Sequence, residues 1–280
     1  MKILLIGHSV FDIVSLSEKD VSSPGGIFYS AQQLLKISSP EDELFICTQI
    51  DDYTKEYFLP VYSGFNNDFI EKVDAIPSVK LFPDNKTERK EVYLNYPSKL
   101  NLSKINFSDF NYIMINMITG TDISPDDLKF IRLQTSALIY FDVHTLSRPM
   151  NQSGERIFTS LKNYEEWIRN IDIIQANENE FATLGSFKSE TERVNKLFEL
   201  GVKIILLTKG SNGAKAYFKS SGEVSSYFIS SKKIKTINTV GCGDTFGATF
   251  FYNYIRTKNV YKSLSFAVIK TEKFLNERIR

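Results

Sequence analysis

The sequence predicts an α/β protein built around a parallel β-sheet. Short apolar runs alternate with segments of helical periodicity, which is the pattern of successive strand–helix–strand units. Of the 280 residues, 42% are hydrophobic and 13% are aromatic, so the chain has enough apolar material for a large core. A chain of this length commonly forms one α/β domain, and we expect a single domain over residues 1–280.

Six apolar runs and six helical segments carry this alternation. The runs predict central strands at 2–6, 43–49, 112–116, 137–142, 171–175 and 203–208, and the other segments predict helices at 27–37, 53–64, 124–134, 178–184, 190–200 and 244–257. The helix at 124–134 has the clearest start, because Ser124 is a suitable N-cap and Pro125 suits the first helical position.

Two segments break the alternation. Residues 14–24 and 78–96 are polar, favour β-structure and lack a helical period. Within the second segment, residues 79–82 pair with 90–96 as a hairpin if the chain turns at Pro83-Asp84-Asn85-Lys86. A small antiparallel flap inserted between strand–helix units suits an active-site lid, and an exposed surface hairpin explains the pattern equally well.

Charge and cysteine content narrow the classes of function. The chain carries 34 basic and 33 acidic residues, a balance that argues against binding nucleic acid through charge. Two cysteines far apart and two histidines argue against a disulfide framework, a cysteine-based zinc site and a histidine-rich metal centre. We see neither a secretory signal nor an apolar run long enough to span a membrane, so we expect a cytoplasmic protein without membrane contact.

The most informative segment is 238–248, Asn-Thr-Val-Gly-Cys-Gly-Asp-Thr-Phe-Gly-Ala. Gly241 and Gly243 permit a tight turn directly before a predicted helix. The N–H groups of 242–244 then point outward at the positive end of the helix dipole and form a hole for an anion. Asp244 would lie beside that anion, where a carboxylate can accept a proton from an attacking hydroxyl. Such a Gly-x-Gly-Asp segment is also often only a loop and a cap.

Four motifs in order give the sequence a resemblance to a known family. Segment 238–250 resembles the C-terminal signature of the ribokinase-like (PfkB) carbohydrate kinases. Upstream, at family-like spacing, stand an Asn-x-x-Glu motif at 177–180, a Thr-x-Gly-x-x-Gly motif at 208–213 and a Gly-Gly motif at 25–26. Asp12 falls where the family keeps a substrate-binding aspartate. The resemblance runs from the first strand to about residue 255.

The resemblance implies a doubly wound, mainly parallel sheet flanked by helices, with a small β lid. It also implies phosphoryl transfer from ATP, with Mg²⁺, to a hydroxyl of a sugar-like substrate. Asp244 is then the general base, and the N–H groups of Gly241, Cys242 and Gly243 stabilise charge on the γ-phosphate. The implied cofactor residues are Asn177 and Glu180 for the phosphates and water-coordinated Mg²⁺, and Thr208, Gly210 and Gly213 for the nucleotide. The implied substrate residues are Asp12, Gly25 and Gly26.

Several residues depart from the family pattern. Cys242 replaces the usual alanine, and Asn238 stands where aspartate is commonest, which leaves open the monovalent-cation site that some members use. Ser30 stands where many sugar kinases keep a substrate-binding asparagine, and its surroundings look like a branch that includes some inositol kinases. The same branch has a stretch similar to residues 142–148, which makes His144 and Arg148 candidates to face the substrate.

These observations predict an ATP-dependent kinase of a small sugar or polyol. A nucleoside kinase on the same scaffold is the first alternative, and a non-catalytic sugar-binding relative is the second. The presence of Asp244 directly after the two glycines, at the start of a predicted helix, argues against the sugar-binding relative, because a binding protein needs no base beside an anion hole. Only 36 residues follow Asp244, fewer than relatives usually have, so the nucleotide preference stays open. The flap at 78–96 is a candidate for pairing two copies as a homodimer, and we expect His8 to line the cleft.

Overall fold

The computed structural model describes residues 1–15, 20–82, 90–234 and 238–278. Its strands are β1 (Lys2–Ile6), β2 (Ser9–Ser15), β3 (Asp20–Gly26), β4 (Glu43–Ile50), β5 (Asn66–Lys72), β6 (Ser78–Phe82), β7 (Lys90–Tyr93), β8 (Tyr112–Asn116), β9 (Leu138–Asp142), β10 (Ile173–Asn177), β11 (Ile204–Thr208), β12 (Ala214–Ser220) and β13 (Glu223–Ile229). Its α-helices are α1 (Phe28–Ile37), α2 (Lys55–Tyr62), α3 (Pro125–Gln134), α4 (Tyr164–Ile168), α5 (Glu178–Thr183), α6 (Glu190–Glu199), α7 (Cys242–Thr257) and α8 (Val260–Glu277).

Nine strands form the central sheet in the order β13-β12-β11-β10-β9-β8-β1-β4-β5. The strands from β11 to β5 pair in parallel, and only β12 and β13 are antiparallel. The predicted mainly parallel sheet is therefore confirmed, and each of the six predicted central strands lies in it.

The two faces of the sheet bury two apolar cores. Along β1, Ile3 and Leu5 pack into the core beneath α1, α2 and α7, while Leu4 and Ile6 pack into the core beneath α3 and α6. A parallel sheet covered on both faces needs such strands, apolar on both sides. The alternation did not reveal the outer strands β5 and β13, whose side chains are mostly exposed or half-buried, nor the helix α8, which buries only one narrow face.

A second sheet of four strands, in the order β3-β2-β6-β7, forms the lid. The predicted hairpin is confirmed, since β6 and β7 pair antiparallel from Val79 opposite Tyr93 to Phe82 opposite Lys90. The predicted turn at Pro83–Lys86 lies outside the described residues. The predicted lid boundary at residue 14 is wrong, because β2 already begins at Ser9, three residues after β1 ends. Asp12 therefore belongs to the lid.

Among the described residues, no helix combines the length and the apolar character needed to cross a membrane.

Candidate active site

Polar side chains mark the carboxyl ends of neighbouring strands in the central sheet. Asn116 at the end of β8 lies in register with Asp142 on β9, and Asp142 lies in register with Gln175 on β10. Asn177, which ends β10, is paired with Thr208 on β11. The chain winds outward in both directions from β1 and β8, and ligands of open α/β sheets bind at such a switch point, beyond the carboxyl ends of the strands.

A cleft lies at this edge of the sheet, between the lid and the start of α7. The lid contributes the apolar side chains of Val10, Val79, Leu81 and Tyr93 and the carboxylates of Asp12 and Glu91. The body contributes His144, Gly241 and Asp244. The structure thus brings together in one cleft five residues that the sequence predicted for the site: Asp12, Gly26, His144, Gly241 and Asp244.

The start of α7 depends on a close approach between Gly241 and Tyr29. Gly241 has a φ of 79°, and a Cβ added there would lie 2.3 Å from the Tyr29 ring. Glycine is the residue that tolerates both the left-handed backbone and the missing space. One predicted anion donor is engaged within the loop, because the Cys242 N–H donates to the Thr239 carbonyl at 3.2 Å. The first-turn amides after it are therefore better placed than Cys242 to serve an anion.

Asp244 is buried in the first turn of α7, with 6% of its surface exposed. Its Oδ1 accepts a hydrogen bond from Asn116 Nδ2 at 3.0 Å and a long one from Ser30 Oγ at 3.5 Å. Ser30 is fully buried and is not among the residues that line the cleft, so the structure places it against Asp244, and its contact with substrate stays a prediction.

The lid carboxylate of Asp12 packs directly on the Gly-Gly segment. A Cβ added to Gly25 would lie 2.1 Å from Asp12 Oδ2, so glycine at position 25 is what lets β3 pass beside that carboxylate. Gly26 follows at the wall of the cleft. The motif and Asp12, distant in sequence, therefore form one surface.

Sequence reasoning missed Glu91, the second carboxylate on the inner face of the lid. Glu91 is 2% exposed, and its Oε1 lies 3.6 Å from Arg148 Nη1. Arg148 also stacks on Phe158, 5.0 Å from the ring centre. Arg148 is not among the residues that line the cleft, and it reaches the cleft through Glu91; its direct contact with substrate stays a prediction. The strand period held a signal for Glu91, since it shares a face with the buried Tyr93 two residues later.

His8 is not in the cleft, contrary to expectation. It is fully buried below the lid, where Nε2 donates to the Ser98 carbonyl at 2.8 Å. Its Nδ1 lies 3.1 Å from the carboxylate of Asp122, which is also fully buried. Burial alone raises the pKa of Asp122, but the charge of His8 and hydrogen bonds from His8 and Thr119 outweigh it and lower that pKa to about 2.

The residues predicted to bind the nucleotide, its phosphates and Mg²⁺ (the donor side of the site) lie at the ends of β10 and β11 and in the loops that follow. Asn177 and Glu180 form a capping box: Glu180 N donates to Asn177 Oδ1 at 2.9 Å, and Asn177 N donates to Glu180 Oε2 at 2.8 Å. This Asn-x-x-Glu motif is thus also a helix start. In the neighbouring loop, Lys209 Nζ pairs with Glu178 at 2.8 Å. Thr208 precedes it, and its Oγ1 lies 3.5 Å from the Ala176 carbonyl.

The two loop glycines that follow differ in their surroundings. A Cβ at Gly213 would lie 2.0 Å from the Ile229 carbonyl, whereas a Cβ at Gly210 would meet nothing within 4 Å. Packing against β13 therefore explains Gly213, and the space around Gly210 is open to a ligand. Asn238, at the position open for a cation, accepts a hydrogen bond from Val240 N at 3.0 Å.

Acidic side chains on β9, α5 and α7 interact electrostatically with one another. Asp142 is buried, and burial together with the charges of Glu180 and Asp244 holds its pKa well above the usual range. Gln175 joins this group to α7, because its Nε2 donates to Asp142 Oδ2 and to the Gly243 carbonyl, both at 3.1 Å. Within the described ranges, no three His, Cys, Asp or Glu side chains converge closely enough to hold a metal ion directly. The concentrated negative charge suits Mg²⁺ held by few protein ligands and several waters.

The carboxyl-terminal helix reaches the same loop. Arg278 at the end of α8 donates to the Val240 carbonyl, just before Gly241, and lies 5.0 Å from the Tyr29 ring centre. The turn before Asp244 is therefore held from two sides, by Tyr29 and by Arg278.

Comparison with known proteins agrees with this geometry. A family model described as pfkB family carbohydrate kinase matches residues 141–269. Ribokinase from Arabidopsis thaliana is 25% identical over 160 residues, which are 52% of this chain and 42% of that protein. 5-Dehydro-2-deoxygluconokinase from Bacillus subtilis is 30% identical over 97 residues, 34% of this chain and 29% of that protein. The match thus spans less than half the length of either relative.

Solved structures share the whole fold. A pyrophosphate-dependent kinase in the ribokinase family, complexed with a pyrophosphate analog and myo-inositol, superposes with a TM-score of 0.76 at 17% identity, over 99% of this chain and 95% of that one. Ribokinase from Thermotoga maritima superposes with a TM-score of 0.72 at 17% identity, over 97% and 91%. The fold is therefore ribokinase-like, and residues 141–269 of the chain are similar to the pfkB family of carbohydrate kinases.

Proposed function

We propose that this protein transfers a phosphoryl group from ATP to a hydroxyl of a small sugar or polyol. One observation carries the proposal: the buried Asp244 carboxylate, in the first turn of α7, forms part of a cleft whose other wall is a lid bearing Asp12 and Glu91. A carboxylate beside a helix N-terminus combines a base with an anion-binding surface, which is what transfer to a hydroxyl requires.

The acceptor side of the cleft fits a molecule rich in hydroxyl groups. The carboxylates of Asp12 and Glu91 are acceptors for hydroxyl hydrogens, and the apolar lid residues Val79 and Leu81 exclude water from the same space. Asp244 then receives the proton of the attacking hydroxyl, while first-turn amides of α7 stabilise charge on the transferred group.

On the donor side, we assign the phosphates and the nucleotide to the loop at Thr208 and Gly210 and to the start of α5. Glu180, through water, is the residue we assign to Mg²⁺, which neutralises phosphate charge when bound. Burial is the main cause of the raised pKa of Asp142, and the charges of Glu180 and Asp244 add to it; a cation beside Glu180 would relieve that second contribution, which supports the assignment. We assign no monovalent cation, and the lid-mediated homodimer and the cytoplasmic location stay predictions.

Phosphate-ester formation tests the proposal directly. The protein is incubated with hexoses, pentoses, inositols and nucleosides, with MgATP in one arm and Mg²⁺ with pyrophosphate in the other, and products are followed by ³¹P NMR. We expect an ester from a sugar or polyol with ATP. Activity with nucleosides alone would favour the nucleoside kinase, and activity with pyrophosphate alone would contradict the assigned donor.

Removing the base tests the mechanism. We expect Asp244→Asn to lower kcat by about 10²–10⁴-fold, because the attacking hydroxyl loses its proton acceptor. Asp126→Asn, in the first turn of α3 and outside the cleft, is the matched control and should leave kcat unchanged. If no acceptor is phosphorylated while Asp244→Asn still binds a sugar by calorimetry, the non-catalytic alternative is supported instead.

A further inference from the structure

Asn116, which no sequence motif pointed to, donates a hydrogen bond to the Asp244 carboxylate. Asn116 ends β8 and is fully buried. Its Nδ2 donates to Asp244 Oδ1 and to Ser30 Oγ, both at 3.0 Å. One amide group thus joins the central sheet, α1 and the first turn of α7, at the point where the order of the strands switches.

The side-chain oxygen of Asn116 indicates that this asparagine is not there to stabilise the fold. Asn116 Oδ1 is buried and has no hydrogen-bond partner among the described residues. An amide oxygen left in that condition lowers the stability of the fold, because it has lost its water without gaining another donor. Leucine is close to asparagine in shape and would avoid this cost, so the benefit of asparagine lies in what its N–H group does for Asp244 and Ser30.

The electrostatic surroundings make a neutral donor the suitable partner for Asp244. The groups that interact with it electrostatically include Asp142 and Tyr140 on β9, and Asp12 and His144 line the same cleft. The carboxylates among them disfavour a further negative charge. A hydrogen bond from a neutral amide stabilises the ionised carboxylate without adding a cation that would compete for phosphate.

We propose that Asn116 is a positioning residue for the phosphoryl transfer, holding the Asp244 carboxylate in one orientation and in its ionised form. This inference rests on the proposed function, in which Asp244 must be ionised to accept a proton. Asn116 itself does not line the cleft, so its effect reaches the acceptor through Asp244.

Three variants separate this role from a structural one. Asn116→Leu removes the donor at similar volume, Asn116→Ser is smaller and serves if the leucine variant does not fold, and Asn116→Asp places a second carboxylate against Asp244. Gln33→Leu is the matched control, because Gln33 is a buried amide whose Nε2 donates to Thr249 Oγ1 on α7 at 2.8 Å, one turn beyond Asp244.

We expect Asn116→Leu to lower kcat by about 10–100-fold with less than threefold change in the acceptor KM, since binding groups are untouched. The acid limb of the kcat profile should move to higher pH, by about one unit, and further in Asn116→Asp, because two adjacent carboxylates do not ionise independently. Gln33→Leu should move neither. A kcat loss with an unmoved acid limb, or the same shift in Gln33→Leu, would overturn the proposal.

A measurement that does not depend on turnover tests the role of Asn116 separately from the proposed kinase function. In protein labelled with ¹³C at aspartate carboxyl groups, Asp244→Asn identifies the Asp244 resonance, and its titration is compared between wild type and Asn116→Leu or Asn116→Ser. A higher titration midpoint in these variants supports the role of Asn116 even if no acceptor is found. An unchanged midpoint contradicts it even if the protein proves to be a kinase.

Discussion

Two buried aspartates, Asp122 below the lid and Asp142 beside the donor side, have opposite electrostatic surroundings. Burial raises the pKa of both. At Asp122, the charge and hydrogen bonds of His8 more than offset burial and bring the pKa to about 2. At Asp142, the charges of Glu180 and Asp244 add to the effect of burial, and the pKa stays well above the usual range.

This difference in surroundings distinguishes a structural ion pair at Asp122, which we call the anchor, from a candidate functional site at Asp142. His8 lies between β1 and β2, where the chain leaves the central sheet for the lid, so the pair with Asp122 ties the base of the lid to the body. Burial and the charges of Glu180 and Asp244 disfavour the ionised form of Asp142, so this carboxyl lowers the stability of the fold as the pH rises. Strongly shifted carboxyl groups of this kind are common at sites that bind a cation or do chemistry.

Breaking the anchor is the largest expected effect. Asp122→Asn leaves His8 buried without its carboxylate, which costs about 3–5 kcal/mol, or a fall in Tm of about 6–20 °C for a chain of this size. Since the folded pKa is about 2 and the usual value is 3.8, the carboxylate stabilises fully above about pH 4 and loses this effect as pH falls toward 2. The Tm difference should therefore be large at pH 7 and shrink on acidification, as followed by calorimetry.

Asp126→Asn, on the exposed first turn of α3, is the control for this measurement and should leave Tm nearly unchanged. A fall of less than about 2 °C in Asp122→Asn would mean that the pair with His8 is no anchor.

The lid carboxylate Glu91 is an intermediate case, since it is buried like Asp142 but has the Arg148 guanidinium 3.6 Å away. Arg148→Met keeps a long apolar side chain against Phe158 and removes the charge. Without that cation, the ionised form of Glu91 is less favoured, as it is at Asp142. Glu91 then binds the hydroxyls of the acceptor less tightly. We expect kcat/KM for the acceptor to fall about 10-fold, mainly through KM, with the KM of the donor unchanged.

Arg132→Met is a suitable comparison in the same assay, because Arg132 pairs with Asp172 away from the cleft. An equal rise in the donor and acceptor KM of Arg148→Met would show that the change disturbs the whole site and not the lid carboxylate.

Relieving the charge at Asp142 is the smallest expected effect, and its sign is opposite to that at Asp122. The folded protein keeps this carboxyl protonated while the unfolded chain ionises it above about pH 4, so stability is lost as pH rises from there toward the raised folded pKa. Asp142→Asn keeps an oxygen that accepts the hydrogen bond from Gln175 and removes this loss of stability. We expect a Tm higher by about 2–4 °C at pH 8, with the difference vanishing near pH 4. A lower Tm at pH 8 would contradict the raised pKa.

The sequence predicted those parts of the site that depend on neighbours along the chain. The capping box of Asn177 and Glu180 needs only residues three positions apart, and the turn before α7 needs glycines at particular positions. Such features appear in a sequence as motifs, because one short stretch of backbone contains both partners. The alternation of strands and helices predicted the sheet for the same reason.

The sequence did not predict contacts between residues far apart along the chain. Asn116 and Asp244 are 128 positions apart, and His8 and Asp122 are 114 apart. Glu91, Ser30 and Arg148 likewise take their roles from side chains on other elements. The sequence around these residues does not show whether a side chain lines the cleft or packs against another residue that does.

The sequence by itself determined the order of the elements, the apolar faces that stack into two cores, and the local backbone at the start of α7. The tertiary structure alone decided which polar groups meet at the carboxyl ends of the strands and whether each buried carboxylate faces a cation, an amide or another carboxylate. The physical reason is range: hydrophobic periodicity and backbone hydrogen bonds act within a few residues, whereas the ionisation of a buried group depends on every charge within a few ångströms, wherever the chain brings it from.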